Sequence, residues 1–389
     1  MPLYKTPEVN DNKVYVENQK KVQEIKALRE KSSGNKNKSI YKQLKKIKWT
    51  IKDVFRNFHK VIRIFLQKKD NITYIACIFQ GGLGDMLRSK IILEELIKMS
   101  PNAVVDIYNK KSTFILNGID NIRFFLNIDA INVTKKRYDI VYNMIPVDIL
   151  FIKHGNRFTD TIKNNLKDYR EQYPSCFDGS KIKDLRLNPL NIIKMLAGVN
   201  DIYNDKISLK YKEQPLEKFG ITKETKYITF NCGAGGNGTL GNAKCWSANH
   251  WEKLLSILKL KIDKNIKIVN VGVSSHYFKD ADINIAAKTS LDELCNVLKS
   301  SLLHIDIEGA CVHIANALGT KSVVLFGISD YDTIGYKENI NIVSSLCGGC
   351  WEQGTKCPLG YDKPLCMESI TPEFVAEKVI EYLKNYEKV

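Results

Sequence analysis

Residues 301–327 read SLLHIDIEGACVHIANALGTKSVVLFG, and this stretch leaves few folds open to the chain. Positions 302–305 and 323–326 are short β-rich runs, while 311–318 between them carry apolar side chains at helical spacing. A strand, a helix and a second strand in so little sequence is one unit of an open α/β sheet. Ligands of such sheets collect at the carboxyl ends of strands, where the free N–H groups of a helix start attract anions. Glu308, Gly309 and Ala310 fall in that strand-to-helix turn and His313 in the first helical turn, where a nucleotide's phosphates would sit. Turns of this kind also occur without a ligand, and a lone histidine there often caps or packs.

The same grammar opens the body of the chain. ITYIACIF from residue 72 is a buried-strand pattern, QGGLGD is a turn, and MLRSKIILEELIKM has helical periodicity. Gly81, Gly82 and Gly84 let the backbone approach a bound molecule, and Asp85 is either a helix cap or a general base. The loop is neither GxGxxG nor a phosphate-binding P-loop with its Lys-Ser/Thr. A second unit starts at Tyr227, where YITFNC leads into NCGAGGNGTLGNAKCW. Five glycines, Gly233 first among them, make an anion-tolerant loop, and Lys244 offers a diphosphate its counter-charge.

Further strands are expected at 103–108, 138–144 and 266–272, and helices from 249, over 291–299 and over 372–386, the last with Pro372 in its first turn. Residues 151–187 are polar and carry no clear pattern. The expected organisation is a basic arm over 1–70, one α/β domain over 71–215, a second over 216–370 and a closing helix over 371–389. The two central parts are read as Rossmann-like domains facing a cleft.

Charge separates the arm from the body. Residues 1–70 hold 19 Lys and Arg against 7 Asp and Glu, and the rest holds 40 against 36, so the net +16 is mostly the arm's. Nucleic acid is therefore not the expected partner of the body. Between 40 and 66 apolar residues recur every three or four positions, and ten Lys or Arg lie between Lys42 and Lys69 against Asp53 alone. A basic face opposite an apolar one suits an anionic membrane surface, a partner groove or the protein's own body. No secretory signal and no run of about 18 apolar residues is evident, so a cytoplasmic protein is expected, peripheral at the inner face of the membrane if the arm binds lipid.

Ten cysteines in such a chain are expected to be thiols or metal ligands. Cys347, Cys350, Cys357 and Cys366 open on a CxxC and lie within 20 residues, a spacing that can close a structural zinc or iron site or simply pack as buried thiols.

In order and spacing, three blocks resemble glycosyltransferase family 9, the bacterial lipopolysaccharide heptosyltransferases. They are GGLGDMLRS at 81–89, GAGGNGTLGNAKCWSANHWEKLLSIL, and SLDELCNVLKSSLLHIDIEGACVHIANALGTKSVVLFG. The Cys-rich tail is also close to many members. The resemblance implies a GT-B fold and inverting transfer of a sugar, commonly heptose, from a nucleotide-sugar donor, with no cofactor needed for catalysis. Asp85 matches the family's base, while Lys244 and the turn Glu308–Gly309–Ala310 match the donor side. Where the family has Asp-Thr-Gly this chain has Glu-Gly-Ala, which alters the contacts to sugar or phosphate; Asp306 fits the acid's place only with a one-residue shift. A carboxylate base suffices if the acceptor hydroxyl becomes acidic only as it attacks an oxocarbenium-like carbon.

The implied acceptor is a lipopolysaccharide core, a related glycan or a glycolipid. A second reading makes it Ser or Thr of a surface protein, with a homo-oligomeric enzyme, and a third is a non-catalytic protein binding nucleic acid or membrane through its arm. The metal-dependent Asp-x-Asp signature occurs at Asp280–Asp282 and Asp330–Asp332, both read as turn or surface residues.

Overall fold

The computed structural model describes residues 3–5, 17, 18, 20, 21, 24, 58–66, 71–109, 113–174, 177, 189–203, 206–233, 243–274, 276–350 and 357–386. The chain divides into a unit of residues 35–210 and one of 1–34 with 211–389. Most of the basic amphipathic segment expected at 40–66, and residues 234–242 of the Gly-rich loop, lie outside the described residues.

Strand β1 (Leu3–Lys5) begins the chain. The 35–210 unit then carries β2 (Tyr74–Phe79), β3 (Val104–Asn109), β4 (Ile122–Leu126), β5 (Ile140–Met144) and β6 (Val147–Ile152) in the order β4-β3-β2-β5-β6. All its pairs are parallel except β5 with β6. β2 is buried almost throughout, which explains its unbroken apolar run: a strand covered on both faces has no polar side to alternate with. The chain runs outward from β2 to β3 and β4, then returns to place β5 on the other side, so the direction of winding reverses beside β2. The helix Leu83–Met99 follows that strand at the reversal.

The other unit joins β7 (Lys226–Asn231), β8 (Ile266–Asn270), β9 (Ile283–Asn284), β10 (His304–Ile307), β11 (Ser322–Phe326) and β12 (Ile340–Val343) in one parallel sheet of order β1-β12-β11-β10-β7-β8-β9. β1 pairs with β12 in register Leu3 to Asn341, so residues 3–5 of the basic arm belong to this sheet. Winding reverses here between β7 and β10, which pair with each other. Trp246, Trp251, Phe230 and Phe278 form the aromatic centre of the core, with Phe230 and Phe278 edge-on at 5.4 Å. Burying such side chains contributes roughly 1.5–3 kcal/mol each. The indole N–H of Trp246 donates to Ile370 O at 2.9 Å, tying the segment before the closing helix Pro372–Tyr386 to the core.

The helices expected at 311–318, 291–299 and 372–386 occur as Ala310–Leu318, Leu291–Ser300 and Pro372–Tyr386. The strand expected at 302–305 is shifted to His304–Ile307, because the run's polar members His304 and Asp306 are buried in a hydrogen-bonded network that the sequence does not advertise. The patternless stretch from 151 holds the helix Arg157–Gln172, capped by Asn156, whose side chain accepts from Phe158 N at 2.9 Å. Only Phe158, Thr159 and Ile162 of its sixteen residues are buried, too narrow an apolar stripe to stand out.

Candidate functional site

In an open α/β sheet the crevice for a ligand lies outside the strand ends where winding reverses. In the C-terminal unit that place is flanked by the segment after β7, beginning at Gly233, and by the turn Glu308–Gly309 after β10. Gly309 is the N-cap of the helix Ala310–Leu318. The structure brings Lys244, Glu308 and His313 together at this point. Lys244 Nζ forms an ion pair with Glu308 Oε2, and His313 Nε2 lies 3.3 Å from Glu308 Oε1. Two residues not expected from the sequence complete the cluster. Ser329 Oγ donates to Glu308 Oε2 at 2.8 Å, and the Tyr336 hydroxyl meets His313 Nδ1 at 2.7 Å. In the neutral ring, with Nε2–H directed at the carboxylate, Nδ1 accepts from Tyr336; in the charged ring both nitrogens donate.

Glu308 is 6% exposed. Burial by itself would push its carboxyl up, but the hydrogen bond from His313 and the charge of Lys244 outweigh that and hold it well below the usual carboxylate range. The site thus carries a fixed anion directly against its cation.

Asp306, two residues earlier on the same strand, has a different fate. It is fully buried, takes both contacts of the Asn231 amide at 3.0 and 3.1 Å, and lies 3.2 Å from His304 Nε2. Burial raises its pKa, against the opposing influence of His304. Asn231 in turn donates to Gly233 O at 3.1 Å, so the network holds the first residue of the Gly-rich loop from beneath. With Asp306 inside the sheet, the acid at the turn is Glu308.

In the 35–210 unit, Gly81, Gly82, Gly84 and Asp85 lie at the reversal beside β2. Asp85 is exposed and sits in the first turn of the helix Leu83–Met99, with Oδ2 accepting from Gly82 N at 2.9 Å. It therefore does cap the helix, from inside its first turn. A side chain at Gly81 would meet Asp85 Cβ at 2.7 Å and Ile145 Cδ1 at 2.8 Å, so glycine is required there by close approach.

Cys347, Cys350, Cys357 and Cys366 are buried and line one small cavity with Ala243, Ile328 and Gly348. The hydrogen bond from Cys366 favours the Cys347 thiolate, and the same bond, with burial, pushes the Cys366 thiol well up. Among the described residues, the set whose ligand atoms all lie within 4.8 Å of one another is instead His304, Asp306 and Cys311. There His304 meets Thr229 Oγ1 through Nδ1 and Asp306 through Nε2, and Asp306 also accepts from Asn231. Both Asp-x-Asp segments are structural: Asp282 pairs with Lys259 and accepts from Ile268 N, and Asp330 caps the helix Tyr331–Ile334.

Residues 197–360 match the sequence model of glycosyltransferase family 9 (heptosyltransferase). Lipooligosaccharide heptosyltransferase 2 of Campylobacter jejuni subsp. jejuni serotype O:2 is 22% identical over 317 residues, covering 77% of this chain and 89% of the relative. Two solved structures share the fold. The Escherichia coli ADP-heptose lps heptosyltransferase II gives a TM-score of 0.52 at 17% identity, over 81% of this chain and all of that one. The iron-containing dodecameric glycosyltransferase TibC of enterotoxigenic E. coli gives 0.55 at 15%, over 82% and 80%. The fold is GT-B, and the likeness to glycosyltransferase family 9 read from the three sequence blocks holds, carried by residues 197–360 in the family model and by about three-quarters of the chain in its relative.

Proposed function

We propose that this protein is an inverting heptosyltransferase that moves heptose from a donor of the ADP-heptose type to a lipopolysaccharide core or related surface glycan. The observation that carries the reading is the cluster of Lys244, Glu308 and His313 around a helix start, at the winding reversal of the C-terminal sheet, in a chain similar to family 9. A diphosphate would find there the Lys244 charge, the N–H groups of the turn Gly309–Ala310 and the backbone at Gly233, so transfer is read as needing no metal at the phosphates. Asp85 is the proposed base: its exposure lets an acceptor hydroxyl approach, and its bond to Gly82 N engages Oδ2, so that Oδ1 is the oxygen proposed to take the proton. The residues about 71–215 are read as the acceptor domain and those about 216–370 as the donor domain.

The test is direct. Labelled ADP-heptose is incubated with the full chain and with heptose-deficient lipopolysaccharide core or with Ser/Thr peptides of a surface protein. Label on the core is the expected result, label on the peptides shifts the acceptor to protein, and no transfer to either, together with no binding of ADP, overturns the reading.

Two accompaniments belong to it. The four thiols lining one cavity suit a structural metal, zinc or iron, which would brace a loop with little core of its own. Metal analysis of protein purified without chelator should find one of these in stoichiometric amount, and its absence removes the site. The helix Phe58–Leu66 buries Val61 and Ile64 but leaves Phe58, Ile62, Phe65 and Leu66 exposed beside Lys60, Arg63 and Arg137. That mixture supports a peripheral seat on an anionic membrane. A homo-oligomer is compatible with all of this.

A further inference from the structure

Glu308 stands in the wrong place for a residue that only packs. Its carboxylate is enclosed, with 8% of the side chain exposed, yet it is paired with Lys244, whose side chain is 23% exposed. The cation is the more accessible member of the pair, so an anion arriving from solvent competes with Glu308 for it. It meets a lysine already neutralised.

What would happen to the carboxylate if Lys244 turned away decides whether exchange is feasible. A buried charge stripped of all its partners costs several kcal/mol. Glu308 would not be stripped, because Ser329 donates to Oε2 at 2.8 Å and His313 lies 3.3 Å from Oε1, with His313 itself held by Tyr336. The anion can give up its lysine and remain hydrogen-bonded on both oxygens.

On the reading of this turn as the donor's diphosphate site, we propose that Glu308 is a built-in substitute for that diphosphate: it holds Lys244 in the empty site and is exchanged for the incoming diphosphate, falling back on Ser329 and His313. The ion pair then works against donor binding and keeps the lysine pointed at the site between turnovers. It also lets a diphosphate enter without leaving a bare lysine in its absence.

The experiment uses calorimetric titration of the full-length protein with ADP and, as an uncharged control, adenosine. Glu308→Gln removes the charge, and Glu308→Asp keeps the charge but shortens its reach. Both should tighten ADP by about fivefold or more, the worth of one modest ion pair, and leave adenosine unchanged. In a Lys244→Met background the same changes should bring no gain. An Asp variant that binds ADP like the wild type would reduce the effect to charge repulsion and overturn the exchange, as would weaker ADP binding by either variant or a gain that persists without Lys244. Melting curves confirm that each variant is folded, and the Asp variant, which retains the carboxylate, stands in if the Gln variant is not. A wild-type protein that binds ADP tightly but shows none of these shifts refutes the exchange alone. A folded wild type that binds no nucleoside diphosphate refutes the donor-site reading, and the exchange with it.

Discussion

The turn after β2 and the turn after β10 have the same construction: a buried parallel strand, glycine, and a helix start at the point where winding reverses. Their carboxylates differ. Asp85 is exposed and held by one backbone N–H, whereas Glu308 is enclosed and contacted by Lys244, His313 and Ser329. An exposed carboxylate with a spare oxygen can be approached and can take a proton, while an enclosed one with three partners can only organise charge. The 35–210 unit also presents an apolar and basic surface at Phe58–Leu66, where Phe58, Ile62, Phe65 and Leu66 are exposed.

The largest effect should come from the open side. Asp85→Ala should lower transfer about a thousandfold, within the usual range for a general base, while ADP binds within about twofold of wild type in the same titration. Retained turnover would remove the functional half of the contrast. Next comes Lys244→Met, which deletes the cation of the closed side. Loss of a charged hydrogen-bond donor, about 1.5–3 kcal/mol, should weaken ADP roughly ten- to a hundredfold, with adenosine unaffected. Equal weakening of both ligands would mean that the loop had collapsed instead. Third, Phe65→Asp with Leu66→Asp should halve or more the protein that sediments with anionic vesicles, the open surface losing apolar contact while gaining like charge. An unchanged partition together with an altered sedimentation coefficient would turn that surface into an oligomer contact.

Much of the closed site was legible before the fold was seen, because strand, turn and helix are local and the residues 308–313 are contiguous. Lys244 could be picked out from a Gly-rich loop between a strand and a helix. Its pairing with Glu308 could not, since 64 positions separate them and only the parallel pairing of β7 with β10 brings them together. Ser329 and Tyr336 carried no signal at all: a serine after a strand and a tyrosine after a short helix are ordinary loop residues until the sheet order places them beside Glu308 and His313 respectively. The same holds for Asp306, which reads like Glu308 in one dimension. Both are buried, and only the neighbours Asn231 and His304 for the one, Lys244 and Ser329 for the other, distinguish them. The helix Arg157–Gln172 escaped for a different reason, its buried stripe being three residues wide.

The smallest expected effect uses that pair of acids. Glu308 is held well below its ordinary value, so the folded state favours its charged form. Its contribution is fully present above the unfolded value of 4.5 and is lost as pH falls below it. Asp306 is shifted upward by burial, so between the unfolded value of 3.8 and its folded value the native state keeps a proton that the unfolded chain has released, and stability declines as pH rises. Two carboxyls two residues apart thus tilt the pH profile in opposite directions. In melting curves from pH 3 to 7, Glu308→Gln should flatten the acid-side fall whatever its absolute melting temperature, and Asp306→Asn should steepen the net rise by removing the opposing slope. Each change should amount to a few degrees, at about 2–4 °C per kcal/mol for a unit of this size. If Glu308→Gln leaves the acid limb as steep as in wild type, the carboxylate is not held ionised by Lys244 and His313, and the closed turn differs from the open one in burial alone.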